Sequence, residues 1–319
     1  MTVFPTIEDG SAFKSWRSDR DLWLPLVREI VRVEKLPATM FAAYGTGTNL
    51  VVDLGGGRVL KVFPPIHRSQ FISERATLRV LEGQLSLAIP TIVADGERDG
   101  WSYLVITRLA GVLGSQAWPQ LPEADKERVL AEIGRAIAEV QSVPPGDLAS
   151  IEPDWPTFIA RQIAGCKERH ARQGLAPRLL SDLDALLAEA SSIVPMDAPP
   201  VILTGEWIPE NFLLAEDDGH WRLAGLIDFG DVMTGWREYD LLGPSAFMCA
   251  GRPKRVRRLL EGYGVPPRDA DPTMRRRLLT LMLLHRASDL RNVDIEGWED
   301  RIGRLTDLEE LIWPFEEQD

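Results

Sequence analysis

Cysteine and histidine are scarce in this chain of 319 residues. Two cysteines, Cys166 and Cys249, are too few for a disulfide framework, and the four histidines, His67, His170, His220 and His285, show no zinc-ligand spacing. There is no signal-peptide pattern and no uninterrupted apolar run of about 20 residues, so a soluble, cytoplasmic protein is expected. Positive charge is in the minority: 36 Lys and Arg against 48 Asp and Glu give a formal net charge of −12. That balance argues against a nucleic-acid partner; it suits a cationic small substrate, and it suits solubility alone equally well. Internal repeats and low-complexity segments are missing too. What remains, 45% hydrophobic residues, is ample for the core of one large domain or two lobes.

Residues 11–36 carry Trp16, Leu22, Trp23, Leu26, Val27, Ile30 and Val31 at helical spacing, which predicts an amphipathic helix or helix pair closed by Pro37. From Thr39 the period changes. Met40 to Tyr44, Asn49 to Asp53 and Arg58 to Phe63 read as short strands, joined by Gly45-Thr-Gly-Thr48 and Gly55-Gly-Gly57. A turn holding Gly45, Gly47 and Thr48 lets backbone amides approach nucleotide phosphates, although it lacks a third glycine and ordinary hairpins use the same residues. Lys61 interrupts an apolar strand; it either points to water or faces inward, where it needs an anionic partner. The helix Ser73 to Leu81 follows and offers Glu74 for that role. Ile89 to Val93, turns at Asp95-Gly96 and Asp99-Gly100, and Trp101 to Thr107 complete a small antiparallel sheet.

The strand pattern breaks at Arg108-Leu-Ala-Gly111, which sets the expected boundary between residues 1–110 and 111–319. A nucleotide base would lie against the backbone of such a connection, making Thr107 and Leu109 candidates through their amides and carbonyls. Beyond it the chain reads as mainly helical: Glu123 to Val140, Pro156 to Ala171, Pro177 to Ile193, Val256 to Tyr263 and Thr273 to Leu290. The basic clusters Arg252 to Arg258 and Arg275 to Arg277 read as solvated helix faces, and Trp298 and Trp313 as packing.

The chemistry concentrates in residues 201–240. Two apolar runs, Val201 to Leu203 and Leu223 to Ile227, each lead into a carboxylate, Glu206 and Asp228, and Asn211 lies five positions beyond Glu206. An acid, an amide oxygen five residues on and a second acid after a hairpin is the spacing of a kinase catalytic loop followed by its magnesium aspartate. Asn211 and Asp228 offer hard oxygens to Mg²⁺, and Glu206 can orient and deprotonate an acceptor hydroxyl. Each residue alone also reads as a cap or turn. Their order in the chain points to an α+β, two-lobed, protein-kinase-like fold that binds ATP or GTP with Mg²⁺.

Thr204-Gly-Glu-Trp-Ile-Pro-Glu-Asn211, Ile227-Asp228 and Gly235-Trp-Arg-Glu-Tyr-Asp240-Leu241 resemble the aminoglycoside phosphotransferase family, whose loop reads His-Gly-Asp-x-x-x-x-Asn. Thr48-Asn49, Val59-Leu-Lys61, Tyr103-Leu-Val105, Asp228-Phe-Gly-Asp-Val232 and Leu284-His285 are similar to the family's actinobacterial hygromycin B branch. The resemblance implies ATP–Mg²⁺ roles for Lys61, Glu74, Asn211 and Asp228, the base position for Glu206 and a supporting role for Asp240. It also implies a small-molecule hydroxyl acceptor, cationic if an aminoglycoside; the acidic balance and the lack of a long apolar run leave neither nucleic acid nor membrane as an expected partner. Two departures stand out: Thr204 replaces the loop-bracing histidine, and Glu206 replaces the catalytic aspartate. A kinase for a metabolite alcohol, and a nucleotide-binding protein without transfer, are the alternatives. Asp289, Asp294, Glu296, Glu299 and Asp300 are either partners for substrate ammonium groups or a solvated acidic surface.

Overall fold

Alternation along a single strand determines what the first part of the molecule can do. In β3 (Arg58–Phe63), Leu60 and Val62 enter an apolar cluster with Trp16, Trp23, Leu26, Val27, Ile30, Trp101, Tyr103 and Val105. Successive strand residues face opposite ways, so Lys61 and Phe63 are presented to the other face of the sheet. That face is covered by helix α3 (Arg68–Leu81), where Phe71 meets Phe63 at 5.7 Å between ring centroids.

The computed structural model describes residues 4–45 and 47–315. These divide into two units, and the first comprises the described residues up to Gly83, Ala88–Ala110 and Leu226–Asp231. Its sheet is antiparallel throughout, in the order β1 (Ala42–Ala43), β2 (Leu50–Gly55), β3, β5 (Trp101–Thr107), β4 (Ile92–Arg98). Helices α1 (Gly10–Ser18) and α2 (Arg20–Val33) pack on its outer face. Asp19 separates them, ending α1 and capping α2 by accepting from the Asp21 amide at 2.9 Å, so the amphipathic stretch is a helix pair.

Three expectations change here. The first strand shrinks to Ala42–Ala43. The fourth runs over Ile92–Arg98, so Asp95-Gly96 lies within it and only Asp99-Gly100, both with positive φ, makes the hairpin turn. Gly96 is not a turn glycine: a Cβ there would sit 2.6 Å from Cζ of Tyr103, its partner on β5.

The second unit comprises residues 84–87, 111–225 and the described residues from Val232 onward. Strands β6 (Val112–Leu113), β8 (Phe212–Asp217) and β9 (His220–Leu226) form one small sheet, and β7 (Val201–Leu203) pairs with β10 (Met233–Gly235) in another. The helices are α4 (Gly114–Ala117), α5 (Glu123–Ser142), α6 (Trp155–Arg172), α7 (Pro177–Ile193), α8 (Leu242–Pro244), α9 (Pro253–Tyr263), α10 (Pro272–Leu284), α11 (Trp298–Arg301) and α12 (Leu308–Ile312). Helices α5 and α9 approach closely because Gly134 and Gly262 let backbone meet backbone.

Helix α10 stops at Leu284, not Leu290, since His285 turns to extended geometry. The basic clusters are only partly solvated. Arg255 is buried and bonded to Glu123 through both Nε and a terminal nitrogen at 2.7 Å, and Arg277 pairs with Glu238. Trp298 and Trp313 are buried as packing. Among the described residues, no helix is long and apolar enough to cross a membrane.

Candidate active site

In the first unit, Lys61 Nζ donates to Glu74 Oε2 at 2.6 Å and to Asp228 Oδ1 at 2.7 Å. Strand alternation aims the lysine, helix α3 supplies the glutamate, and the segment after β9 returns the aspartate. Lys61 and Glu74 are 5% and 1% exposed, a burial that only mutual pairing makes tolerable. Burial alone would lower the ammonium's pKa, but the charges of Glu74 and Asp228, with hydrogen bonds to both, outweigh it and raise it. Burial likewise would raise Asp228; Lys61 and the Gly230 amide hold it below its usual range. Burial raises Glu74 against the pull of Lys61.

Asp228 has a φ of +67°, a left-handed conformation costing a non-glycine residue about 1 kcal/mol or more. The strain turns Oδ1 toward Lys61 and the Gly230 amide, the latter at 3.3 Å. No described residue bonds Oδ2, and the side chain is 38% exposed. A polar chain secures the same segment: Asn49 donates to Gln70 at 2.9 Å, and Gln70 reaches Asp231 at 3.5 Å. Asn49 also meets His67 at 2.9 Å.

The glycine turn is open around Gly45 and Gly47, with φ +93° at Gly47 and Thr48 exposed; Thr46 lies outside the described residues. Arg17 from α1 holds it by donating to the carbonyls of Gly47 and Asn49. At the connecting segment, the Thr107 amide is occupied by the Thr91 carbonyl at 3.0 Å and the Arg108 amide by Gly57 at 2.9 Å. The backbone of Leu109 has no partner among the described residues, which leaves it the amide open to a base.

In the second unit, Glu206 sits on the loop between β7 and β8. Asp240 accepts from the amides of Thr204 at 3.1 Å and Gly205 at 2.8 Å. Burial pushes the Asp240 carboxyl up to about 6 against these amides. Asn211 Nδ2 donates to the Glu206 carbonyl at 3.1 Å and to its Oε2 at 3.3 Å. With the amide nitrogen so assigned, the Asn211 oxygen is left for another ligand. Gly205 has φ +71°, and its carbonyl meets His285 Nε2 at 3.2 Å.

The sequence pattern of the phosphotransferase enzyme family matches residues 46–311. The chain belongs to the phosphotransferase enzyme family. It is similar to the aminoglycoside 3'-phosphotransferase of Streptomyces ribosidificus, 26% identical over 192 residues covering 56% of this chain and 68% of that one. The corresponding enzyme of Streptomyces fradiae is 28% identical over 164 residues, covering 49% of this chain and 56% of its own length. This phosphotransferase shares its fold with the GDP complex of wild-type aminoglycoside 2'-phosphotransferase-IIIa: TM-score 0.68, 20% identity, 90% of this chain and 98% of that one covered. Macrolide 2'-phosphotransferase MphH from Brachybacterium faecium also shares it: TM-score 0.57, 17% identity, 92% and 99% covered. The fold is therefore α+β, two-lobed and protein-kinase-like, and the protein is a small-molecule phosphotransferase with an alcohol group as acceptor.

Several residues of this phosphotransferase escaped sequence reasoning. Gln70 stands one helical turn before Glu74 on α3, a spacing that was available. Arg17 acts on carbonyls far along the chain, and no local pattern marks it; Leu284-His285 carries a family resemblance, but nothing local to it points to Gly205.

Proposed function

We propose that the protein is an ATP- and Mg²⁺-dependent O-phosphotransferase acting in the cytoplasm on hydroxyl-rich small molecules, with hygromycin-like and other aminoglycosides as the first candidates. The observation that carries this reading is the Lys61 ammonium bonded at once to Glu74 and to Asp228, a residue in left-handed backbone geometry. Such a lysine is fixed, charged and ready to exchange part of its carboxylate contact for phosphate oxygens.

The donor chemistry fits magnesium. Among the described residues no group of three or more His, Cys, Asp or Glu gathers into a metal cage. Mg²⁺ does not need one: it takes one or two protein oxygens and completes its shell with phosphates and water. Asp228 Oδ2 and the Asn211 side-chain oxygen would be those ligands. When bound, the metal neutralises charge on the nucleotide's phosphates. Lys61, braced by Glu74, holds the phosphates; the amides of Gly45, Gly47 and Thr48 approach them; Leu109 pairs with the base. Glu206 orients the acceptor hydroxyl and takes its proton as oxygen bonds to the γ-phosphorus and the bond to the ADP leaving group breaks.

Support for an aminoglycoside acceptor comes from the named relatives and from solved complexes of this fold with kanamycin, gentamicin and streptomycin. The net charge of −12 is compatible with a cation. A second reading, a neutral acceptor such as a metabolite alcohol, is favoured by one observation. Asp289, a candidate ammonium partner, is already neutralised by Arg291 at 2.6 Å.

The test is acceptor-stimulated ADP release, with ATP and with GTP, across hygromycin B, kanamycin, gentamicin, streptomycin, choline and simple sugars. Glu206→Ala should abolish stimulation while nucleotide binding persists. Stimulation that survives Glu206→Ala would sink the assigned role, and no stimulation by any acceptor would sink the transferase reading of the substrate class.

A further inference from the structure

Gly205 is gripped from two directions. Its amide donates to Asp240 Oδ1 at 2.8 Å, and its carbonyl, which belongs to the peptide entering Glu206, lies 3.2 Å from His285 Nε2. The other ring nitrogen of His285 accepts from the Ala287 amide at 3.2 Å. An imidazole that accepts at Nδ1 must carry its proton at Nε2, so His285 donates to the Gly205 carbonyl. The ring is stacked on Tyr239 at 4.6 Å between centroids and 21° between planes. Tyr239 is fully packed, its hydroxyl accepts from the Arg286 amide at 3.3 Å, and its neighbour in the chain is Asp240. One dipeptide, Tyr239-Asp240, therefore fixes both grips: directly at the amide, and through the stacked imidazole at the carbonyl. Thr204, the residue before Gly205, adds nothing to this brace, because its hydroxyl is buried without a hydrogen-bond partner.

We propose that His285 is a positioning residue for Glu206: its Nε2–H, oriented by Ala287 and by the Tyr239 ring, sets the plane of the Gly205–Glu206 peptide and so the placement of the catalytic carboxylate. This rests on the role given to Glu206 above. A glycine with φ +71° has little of its own to hold that peptide in one orientation, and a carbonyl without the imidazole is free to rotate away. Helix α10 ends at Leu284 so that His285 can leave the helical path and make this contact.

The experiment compares wild type with His285→Phe, which keeps a ring on Tyr239 but lacks the donor, and His285→Gln, whose amide restores one. Hydrogen–deuterium exchange of residues 203–207 is read first, because it needs no acceptor. Exchange about tenfold faster in His285→Phe, returning toward wild type in His285→Gln, is expected. Once an acceptor is known, His285→Phe should lower kcat about 10- to 100-fold with the KM for nucleotide unchanged, and His285→Gln should recover most of it. Unaltered exchange in His285→Phe overturns the proposal, as does an equal loss of kcat in both variants. If His285→Phe does not fold, nitrogen shifts of the wild-type imidazole decide: a proton on Nδ1 would overturn it. A wild type that transfers nothing would defeat the phosphotransfer reading and leave the exchange result standing by itself.

Discussion

Lys61 and Asp228 are 167 positions apart in the chain and 2.7 Å apart in space, and both belong to the sheet-bearing unit. The aspartate thus folds with the lysine, although it follows Glu206 and Asn211 in sequence. Lys61 is shared: the same ammonium also neutralises the more deeply buried Glu74. Removing it has two separable consequences, one on charge stored in the core and one on the nucleotide.

Lys61→Met keeps the apolar stem and deletes the charge. Glu74 is then buried without a cation, a loss of about 3–5 kcal/mol for a broken buried pair, reduced as the carboxyl takes up a proton. Its pKa, already raised by burial, rises further, so the unfolded state binds fewer protons than the folded one over a wider range. Destabilisation should be greater at pH 8 than at pH 5, and Lys61→Met/Glu74→Gln should recover much of it. Urea unfolding at the two pH values checks this. Transfer should fall by about 10²-fold or more in both variants, as expected when a charged donor to the transition state is lost.

Asp240 predicts a pH signature of its own. Burial raises its carboxyl from an ordinary 3.8 to about 6 in the folded protein. Between those values the folded state holds the proton that the unfolded state has released. The group's contribution is therefore fully present below about pH 3.8 and is lost as pH rises toward 6, a change of about 3 kcal/mol at most. Asp240→Asn removes the titration. The stability difference between wild type and Asp240→Asn should therefore shift against wild type from pH 4 to pH 6 and stay flat above. Asp240→Asn should still lower kcat, since an amide presents one acceptor to the two amides of Thr204 and Gly205.

Glu206→Asp asks whether the loop is built for the longer acid. Asn211 donates to Oε2 at 3.3 Å and to the Glu206 carbonyl at 3.1 Å, so the carboxylate is tied in place relative to its own backbone. Shortening the side chain by a methylene withdraws the carboxylate by more than about 1 Å, and a misplacement of that size can cost on the order of 10²-fold. We expect kcat to fall 10- to 100-fold with the KM for nucleotide unchanged. A rate above wild type would mean that the backbone already sits where the family's aspartate needs it.

What could be read in advance followed from periodicity and chain order. Lys61 in an apolar strand, Glu74 on the next helix and Asp228 after a hairpin were each ambiguous alone, yet their sequence order pointed to partners that do lie within hydrogen-bond distance. Most helices came out within a few residues because apolar faces repeat locally, but α3 begins five residues before the expected Ser73 and α10 ends six before Leu290, where nothing local marks the boundary. Contacts between distant segments were invisible. Arg255 looked like one more surface charge, and only the crossing of α9 over α5 brings Glu123 to it. His285 looked like a helix residue, and only its exit from α10 brings it to Gly205.

Gly96 is the sharpest case, because the same residue that misled a local reading makes a quantitative forecast. Asp-Gly is a turn signal, but here the glycine lies in β4 and leaves room for the Tyr103 ring on β5. A Cβ at position 96 would sit 2.6 Å from Tyr103 Cζ and still nearer its hydroxyl. The ring cannot yield cheaply: it is 7% exposed, and its hydroxyl donates to Glu34 at 2.5 Å. Backbone strain is not involved, since Gly96 is absent from the positive-φ glycines. Gly96→Ala should therefore cost about 1–3 kcal/mol by overpacking alone, measured by urea unfolding. Gly96→Ala/Tyr103→Leu, which removes the ring, should relieve the clash, so the two substitutions should be less than additive. If they add fully, the glycine serves the strand for some reason other than the space it leaves.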